Sequence, residues 1–189
     1  MTFLGIDPGL RITGYGCVRL QSARATLVEA GVFRLARTDD EGNAASVSRR
    51  LKELDTDVRA LLARLKPSCV AVEGLFAHAA HPATAMIMGH ARGVILLAIA
   101  QAGVPVVELK PAEVKKFLTG SGRAEKGQMQ RAVQDYFRLP ELPKPPDVAD
   151  ALAIALCAAE RSRIGANAPA LMTKKRRSTR TLPADVLDR

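Results

Sequence analysis

Twice in this chain a strand-length apolar run ends on a single carboxylate and is cut off at once by a turn former. Phe3-Leu4-Gly5-Ile6 leads into Asp7-Pro8-Gly9, and Cys69-Val70-Ala71-Val72 leads into Glu73-Gly74. Pro and Gly end a strand, so both acids belong at the rim of a sheet, facing solvent or a ligand. The residues after the first turn, Thr13-Gly14-Tyr15-Gly16-Cys17-Val18, are strand-like with small residues alternating. That pattern is expected where backbone passes close to something bulky.

The rest of the chain supplies the layers around these two strands. Residues 2–7, 12–20 and 25–35 read as three successive strands of an antiparallel meander, followed by a polar loop over 39–43. Ser46 or Ser48 can cap the next helix, whose apolar positions Val47, Leu51, Leu54, Val58, Leu61 and Leu65 recur every three or four residues. Pro67 stops it, and residues 68–73 form the fourth strand. A loop with Phe76, His78 and His81 leads to a helix over 83–101, in which Gly89 and Gly93 allow another element to approach closely. Residues 104–109 form a fifth strand. Pro111 opens a short helix that Gly120 closes, a glycine-rich basic stretch spans 119–127, and further helices cover 125–137 and 147–161. The fold class is therefore α/β: a five-stranded mixed sheet flanked by helices.

The last helix opens Asp147-Val148-Ala149-Asp150, and residues three apart project from one side of a first turn. Beyond them, residues 149–159 are apolar almost all round, so a buried helix presents two acids at its start. First-turn aspartates are also favoured by capping and by the helix dipole, and a strand-end acid alone means little. Four acids placed in this way in a basic chain point instead to a hard-cation site. Mg²⁺ takes oxygen ligands and keeps positions open for water and phosphate. Two such ions about 3.5–4 Å apart serve phosphodiester cleavage.

Charge supports a polyanionic partner: 28 Lys and Arg oppose 19 Asp and Glu, a net charge of +9. Residues 160–189 contribute +5 of it, with eight basic and three acidic residues, so the body is only mildly basic. Cys17, Cys69 and Cys157 stand apart in apolar stretches without zinc-type spacing, and read as buried thiols in a reducing compartment. The longest apolar candidate, 83–100, contains His90 and Arg92, which excludes a membrane span, and the apolar start is broken at Asp7. The expected setting is a soluble cytoplasmic protein. His78 and His81 have no third nitrogen or sulfur ligand nearby in sequence, which leaves them a loop role; His90 reads as a packed or interface side chain.

The segments LGIDPGLRITGYG, AVEGLF, GHARG, EVKKF with GSGRAEKGQMQ, and DVADALAIA, in this order and spacing, resemble the RuvC family of Holliday-junction resolvases. The resemblance covers residues 3–157. It implies an RNase H-like nuclease domain over residues 1–161, a homodimer, and Mg²⁺-dependent paired nicking of four-way DNA junctions in recombination and repair, leaving 5'-phosphate and 3'-hydroxyl ends. Residues 162–189 would be a basic, disordered C-terminal tail. The catalytic and metal-holding acids would be Asp7, Glu73, Asp147 and Asp150, with two Mg²⁺ per site and Mn²⁺ as a substitute. Lys126 would reach the scissile phosphate, and Lys115 and Lys116 would contact backbone phosphate. Phe76 matches a base-stacking wedge, whose contact would be worth about 1–3 kcal/mol, although an ordinary core phenylalanine is its alternative. Arg11, Arg92 and Arg123 are weaker candidates for phosphate contacts, with Arg123 counted among the DNA-binding residues. The family also implies a branch-migration motor of the RuvA and RuvB type as partner.

Competing readings are an RNase H-like nuclease acting on structured RNA, an actin-like ATPase, for whose second domain the chain has no room, and a non-catalytic nucleic-acid-binding module. Retaining all four acids argues against the last, because carboxylates repel DNA unless metal intervenes.

Overall fold

The computed structural model describes residues 1–21, 24–35, 43–74 and 82–166. Its elements are β1 (Thr2–Asp7), β2 (Ile12–Gln21), β3 (Arg24–Arg34), α1 (Ala44–Leu65), β4 (Cys69–Glu73), α2 (Pro82–Gln101), β5 (Val106–Leu109), α3 (Pro111–Thr119), α4 (Lys126–Phe137) and α5 (Pro146–Ala166). Among the described residues the strands form one mixed sheet in the order β3-β2-β1-β4-β5. The meander β1-β2-β3 is antiparallel, and β4 and β5 are added in parallel through the helical crossovers.

Each face of the sheet carries its own core. Leu4, Ile6, Val70 and Val72 pack with Leu54, Val58 and Leu61 of α1 and Ile95 and Ile99 of α2. Phe3, Ala71 and Leu109 pack on the opposite face with α5, and with Val114 of α3 and Met129 and Val133 of α4. The mainly apolar β1 and β4 are thus buried on both sides, as strands between two helical layers must be.

The small residues of β1 and β2 meet the backbone of α5. A Cβ on Gly5 would lie 2.2 Å from the Ala151 carbonyl oxygen and 2.5 Å from the Ala155 amide nitrogen. One on Gly14 would lie 2.1 Å from the Asp147 carbonyl oxygen, and one on Gly16 2.8 Å from the Leu152 amide nitrogen. The bulky neighbour expected beside the alternating glycines is therefore the helix that carries two of the four acids.

Local differences from expectation have local causes. Asn43, rather than Ser46 or Ser48, caps α1, its side-chain oxygen accepting the Ser46 amide at 2.7 Å. The fifth strand starts at Val106 rather than Val104, because the Val104 amide closes the end of α2 on the Ile99 carbonyl. Helix α5 runs past Arg161 to Ala166, so its last residues lie inside the stretch expected to be tail. Gly120 closes α3 in the left-handed conformation, as expected.

A methyl group on Gly14 should force the first turn of α5 outward. Gly14→Ala is expected to lower unfolding free energy by about 1–3 kcal/mol, measurable by urea denaturation.

Candidate active site

Side-chain alternation determines where the strand-end acids point. In β1, Phe3 and Gly5 face α5, so Asp7, two residues on, faces α5 as well; in β4, Cys69 and Ala71 put Glu73 on the same side. The strands are parallel neighbours with Ile6 opposite Val72, which leaves Asp7 and Glu73 side by side one step beyond the last rung. Helix α5 starts at that level, because Gly14 receives its first turn. Asp147 and Asp150 thereby join the strand acids in one cleft of about 980 Å³.

Lys115 of α3 and Lys126, the first residue of α4, line the same cleft, as do Arg11 and Arg50. A lysine in a helix's first turn works against the helix dipole, yet α4 begins there with a complete capping box between Glu125 and Gln128. The neighbouring acids supply the compensation: Lys126 and Lys115 both favour the charged forms of Glu73 and Asp150.

None of that positive charge counters the acids at Asp7 itself. Burial, followed by the charges of Glu73 and Asp150, pushes the Asp7 carboxyl up to about 9. Burial likewise raises Glu73 and Asp150 above the ordinary carboxylate range. The two neighbouring carboxyls act on each other, and the charge of Glu73 favours the protonated form of Asp7.

Among the described residues no three His, Cys, Asp or Glu side chains stand in a ready metal-chelating cluster. The donor set nevertheless suits a hard cation. It is all oxygen and half-buried, and a cation between the acids would relieve the repulsion that raises Asp7.

The structure thus brings together Asp7, Glu73, Asp147, Asp150, Lys115 and Lys126. Lys116 and Arg123 are exposed and do not line the cleft. Phe76, His78 and His81 lie outside the described residues. His90 is exposed on α2 rather than packed. Arg50 escaped the sequence reading. It is 3% exposed and lines the cleft from α1. Its signal was available, because position 50 lies three residues after Val47 and four before Leu54, on the apolar stripe where a charge is out of place.

The family model for crossover junction endodeoxyribonuclease RuvC matches residues 3–158. A curated protein of that description from Rhodopirellula baltica is 47% identical over 154 residues, 82% of this chain and 83% of its own length. One from Moorella thermoacetica is 48% identical over 157 residues, 83% and 90% of the two chains. The structure of Thermus thermophilus RuvC superposes with a TM-score of 0.75 at 34% identity, covering 87% of this chain and 97% of that one. The same protein in complex with Holliday junction substrate matches at TM-score 0.75 and 33% identity, with the same coverage.

The raised Asp7 value has a consequence for stability without metal. A carboxyl whose folded-state pKa lies above its usual 3.8 contributes its full stability below that pH and loses it as pH rises toward about 9. In EDTA, Asp7→Asn should therefore gain on the parent chain by about 1–3 kcal/mol between pH 5 and pH 8. Urea denaturation at both values checks this; a gap independent of pH would contradict it.

Proposed function

The chain belongs to the RuvC family of crossover junction endodeoxyribonucleases, and on that premise we propose that it resolves four-way DNA junctions by metal-dependent hydrolysis in the cleft between β1, β4 and α5. The observation that carries the reading is the convergence of Asp7, Glu73, Asp147 and Asp150 in one cleft that also holds two lysines. Its five-stranded mixed sheet has the RNase H-like arrangement shared with the Thermus structure.

The four acids would hold the metal, two Mg²⁺ per site with Mn²⁺ able to substitute, and it would supply the Lewis-acid charge needed to activate water and to steady a leaving 3'-oxygen. Asp7 and Glu73 come from neighbouring strands and present their oxygens from a rigid edge. Asp147 and Asp150 face them from a helix whose backbone is pressed against the sheet. Lys126, which lines the cleft, would offset charge developing on the scissile phosphate. Lys115, further from the helix start, holds a backbone phosphate, while the exposed Lys116 and Arg123 extend the contact outside the cleft. Phe76, three residues after Glu73, is proposed to stack on a base at the junction. The products carry 5'-phosphate and 3'-hydroxyl ends.

Two cuts in opposed strands require two copies of this site, which a twofold dimer provides. Helix α2 offers a surface for that dimer. Met86, His90, Gly93, Leu97 and Ala100 are exposed and alternate in spacing between four and three, the seam pattern of paired helices. Met86 is 66% and Leu97 53% exposed, and a side chain on Gly93 would meet nothing within 4 Å. Family kinship adds a branch-migration motor of the RuvA and RuvB type as partner. Its bacterial relatives suggest a cytoplasmic setting. No helix among the described residues is long and apolar enough to cross a membrane.

Labelled four-way junctions, linear duplex and RNA-DNA hybrid should be offered with and without Mg²⁺ or Mn²⁺. Paired, metal-dependent nicks confined to the junction are expected, reduced by roughly 10²–10³-fold or more in Asp7→Asn. Binding without cutting would leave a binding module, and preference for the hybrid would move the chain to another nuclease class. Lys126→Ala should lower the maximal rate more than junction affinity, and Lys115→Ala the reverse. Leu97→Asp should yield a monomer by analytical ultracentrifugation that nicks singly; an unchanged dimer would place the interface elsewhere.

A further inference from the structure

Arg92 of α2 is engaged with the strand end that carries Glu73. Its Nε–H donates to the backbone carbonyl of Glu73 at 3.3 Å, and its guanidinium pairs with the Glu108 carboxylate on β5. The Arg92 side chain is only 18% exposed. Glu108 reaches it by lying across Gly74, where a Cβ would stand 3.0 Å from Glu108 Oε1. On the other edge of β4 the ladder to β1 ends at Ile6 and Val72, so Glu73 stands past the last rung there. The glycine behind it leaves the backbone free to vary. Among the described residues, this end is held on the β5 side by the pairing of Glu73 with Leu109 and by the Gly74 amide, 2.9 Å from the Leu109 carbonyl, and on the α2 side by the Arg92 contact.

We propose that Arg92 is a positioning residue: by gripping the Glu73 carbonyl while Glu108 holds its guanidinium, it sets where the Glu73 carboxylate stands in the cleft. The proposal rests on the reading of Glu73 as a metal-holding acid. Direct phosphate binding by Arg92 is the poorer use of this geometry, because the guanidinium is largely covered and its charge is already matched by Glu108. The planar fork matters more than the charge. Nε and a terminal nitrogen point to two different acceptors, a pair of directions that a lysine ammonium on its flexible stem does not reproduce. Sites that hold a catalytic ion depend on such supporting contacts, and losing one typically costs about 10–100-fold in metal affinity or activity.

Arg92→Lys keeps the charge and removes the fork. In the full-length chain it should lower the single-turnover rate of junction cleavage by about 10–100-fold and weaken Mn²⁺ binding, read by calorimetry, by about 10-fold. Amide exchange at Gly74 should accelerate, while junction affinity in EDTA stays unchanged. Glu108→Gln, at an exposed position, should shift the same three readouts in the same direction but less, and it carries the test if Arg92→Lys does not fold. A normal rate and normal Mn²⁺ affinity in both variants would overturn the proposal. So would weakened junction binding with a normal rate at saturation, which would make Arg92 a DNA contact. Glu73→Gln is the separate control: if it cleaves normally, the reading of the acid set fails, whatever Arg92 does.

Discussion

The structure depends on how closely the backbone of α5 lies on β1 and β2. Gly5, Gly14 and Gly16 put no side chain of their own between helix and sheet, and Ala151 and Ala155 keep part of the facing side of the helix small. With larger residues there, α5 would ride higher on the sheet and its first turn would pass over the strand ends. Pressed down, it brings Asp147 and Asp150 level with Asp7 and Glu73. The small residues bury little apolar area of their own, and the flanking large ones, Phe3, Val18, Leu152 and Leu156, close the core around them.

Electrostatics then work against that packing. Four acids share one cleft, and burial together with the charges of Glu73 and Asp150 favours the protonated form of Asp7. A chain shaped by stability alone would not concentrate like charges at a buried strand edge. Groups whose pKa is displaced by burial and by like charges collect at functional sites because the same strain creates affinity for a compensating cation. The apolar cores on both faces of the sheet hold that arrangement in place.

The strand-end acids were legible because their signal is local: an apolar run, one carboxylate, then a turn. The helix acids were legible by spacing, and the fold class followed from the order of elements. Lys115 and Lys126 were singled out through likeness to a family, since a lysine near a glycine-rich segment is ordinarily a solvated charge. Arg50 was not singled out, although it breaks the apolar stripe on which it sits. Arg92 was read as a weak candidate for phosphate, because its partners Glu73 and Glu108 lie on other elements that sequence spacing does not bring near it. Asn43 was overlooked as a cap because two serines inside the helix offered the same chemistry.

Sequence by itself determined which segments form strands and helices, that acids stand at the ends of two strands and the start of one helix, and that β2 must pass close to something. These features follow from periods of two and of 3.6 residues and from turn chemistry within a few positions. Only the tertiary structure decided that β4 pairs with β1 in parallel, that both acids turn to the same face, and that α5 is the close neighbour. A strand's alternation defines two faces without saying which one meets a given helix. The pairing that places Ile6 opposite Val72 is set by the packing of both layers at once, because only one register buries both apolar sets.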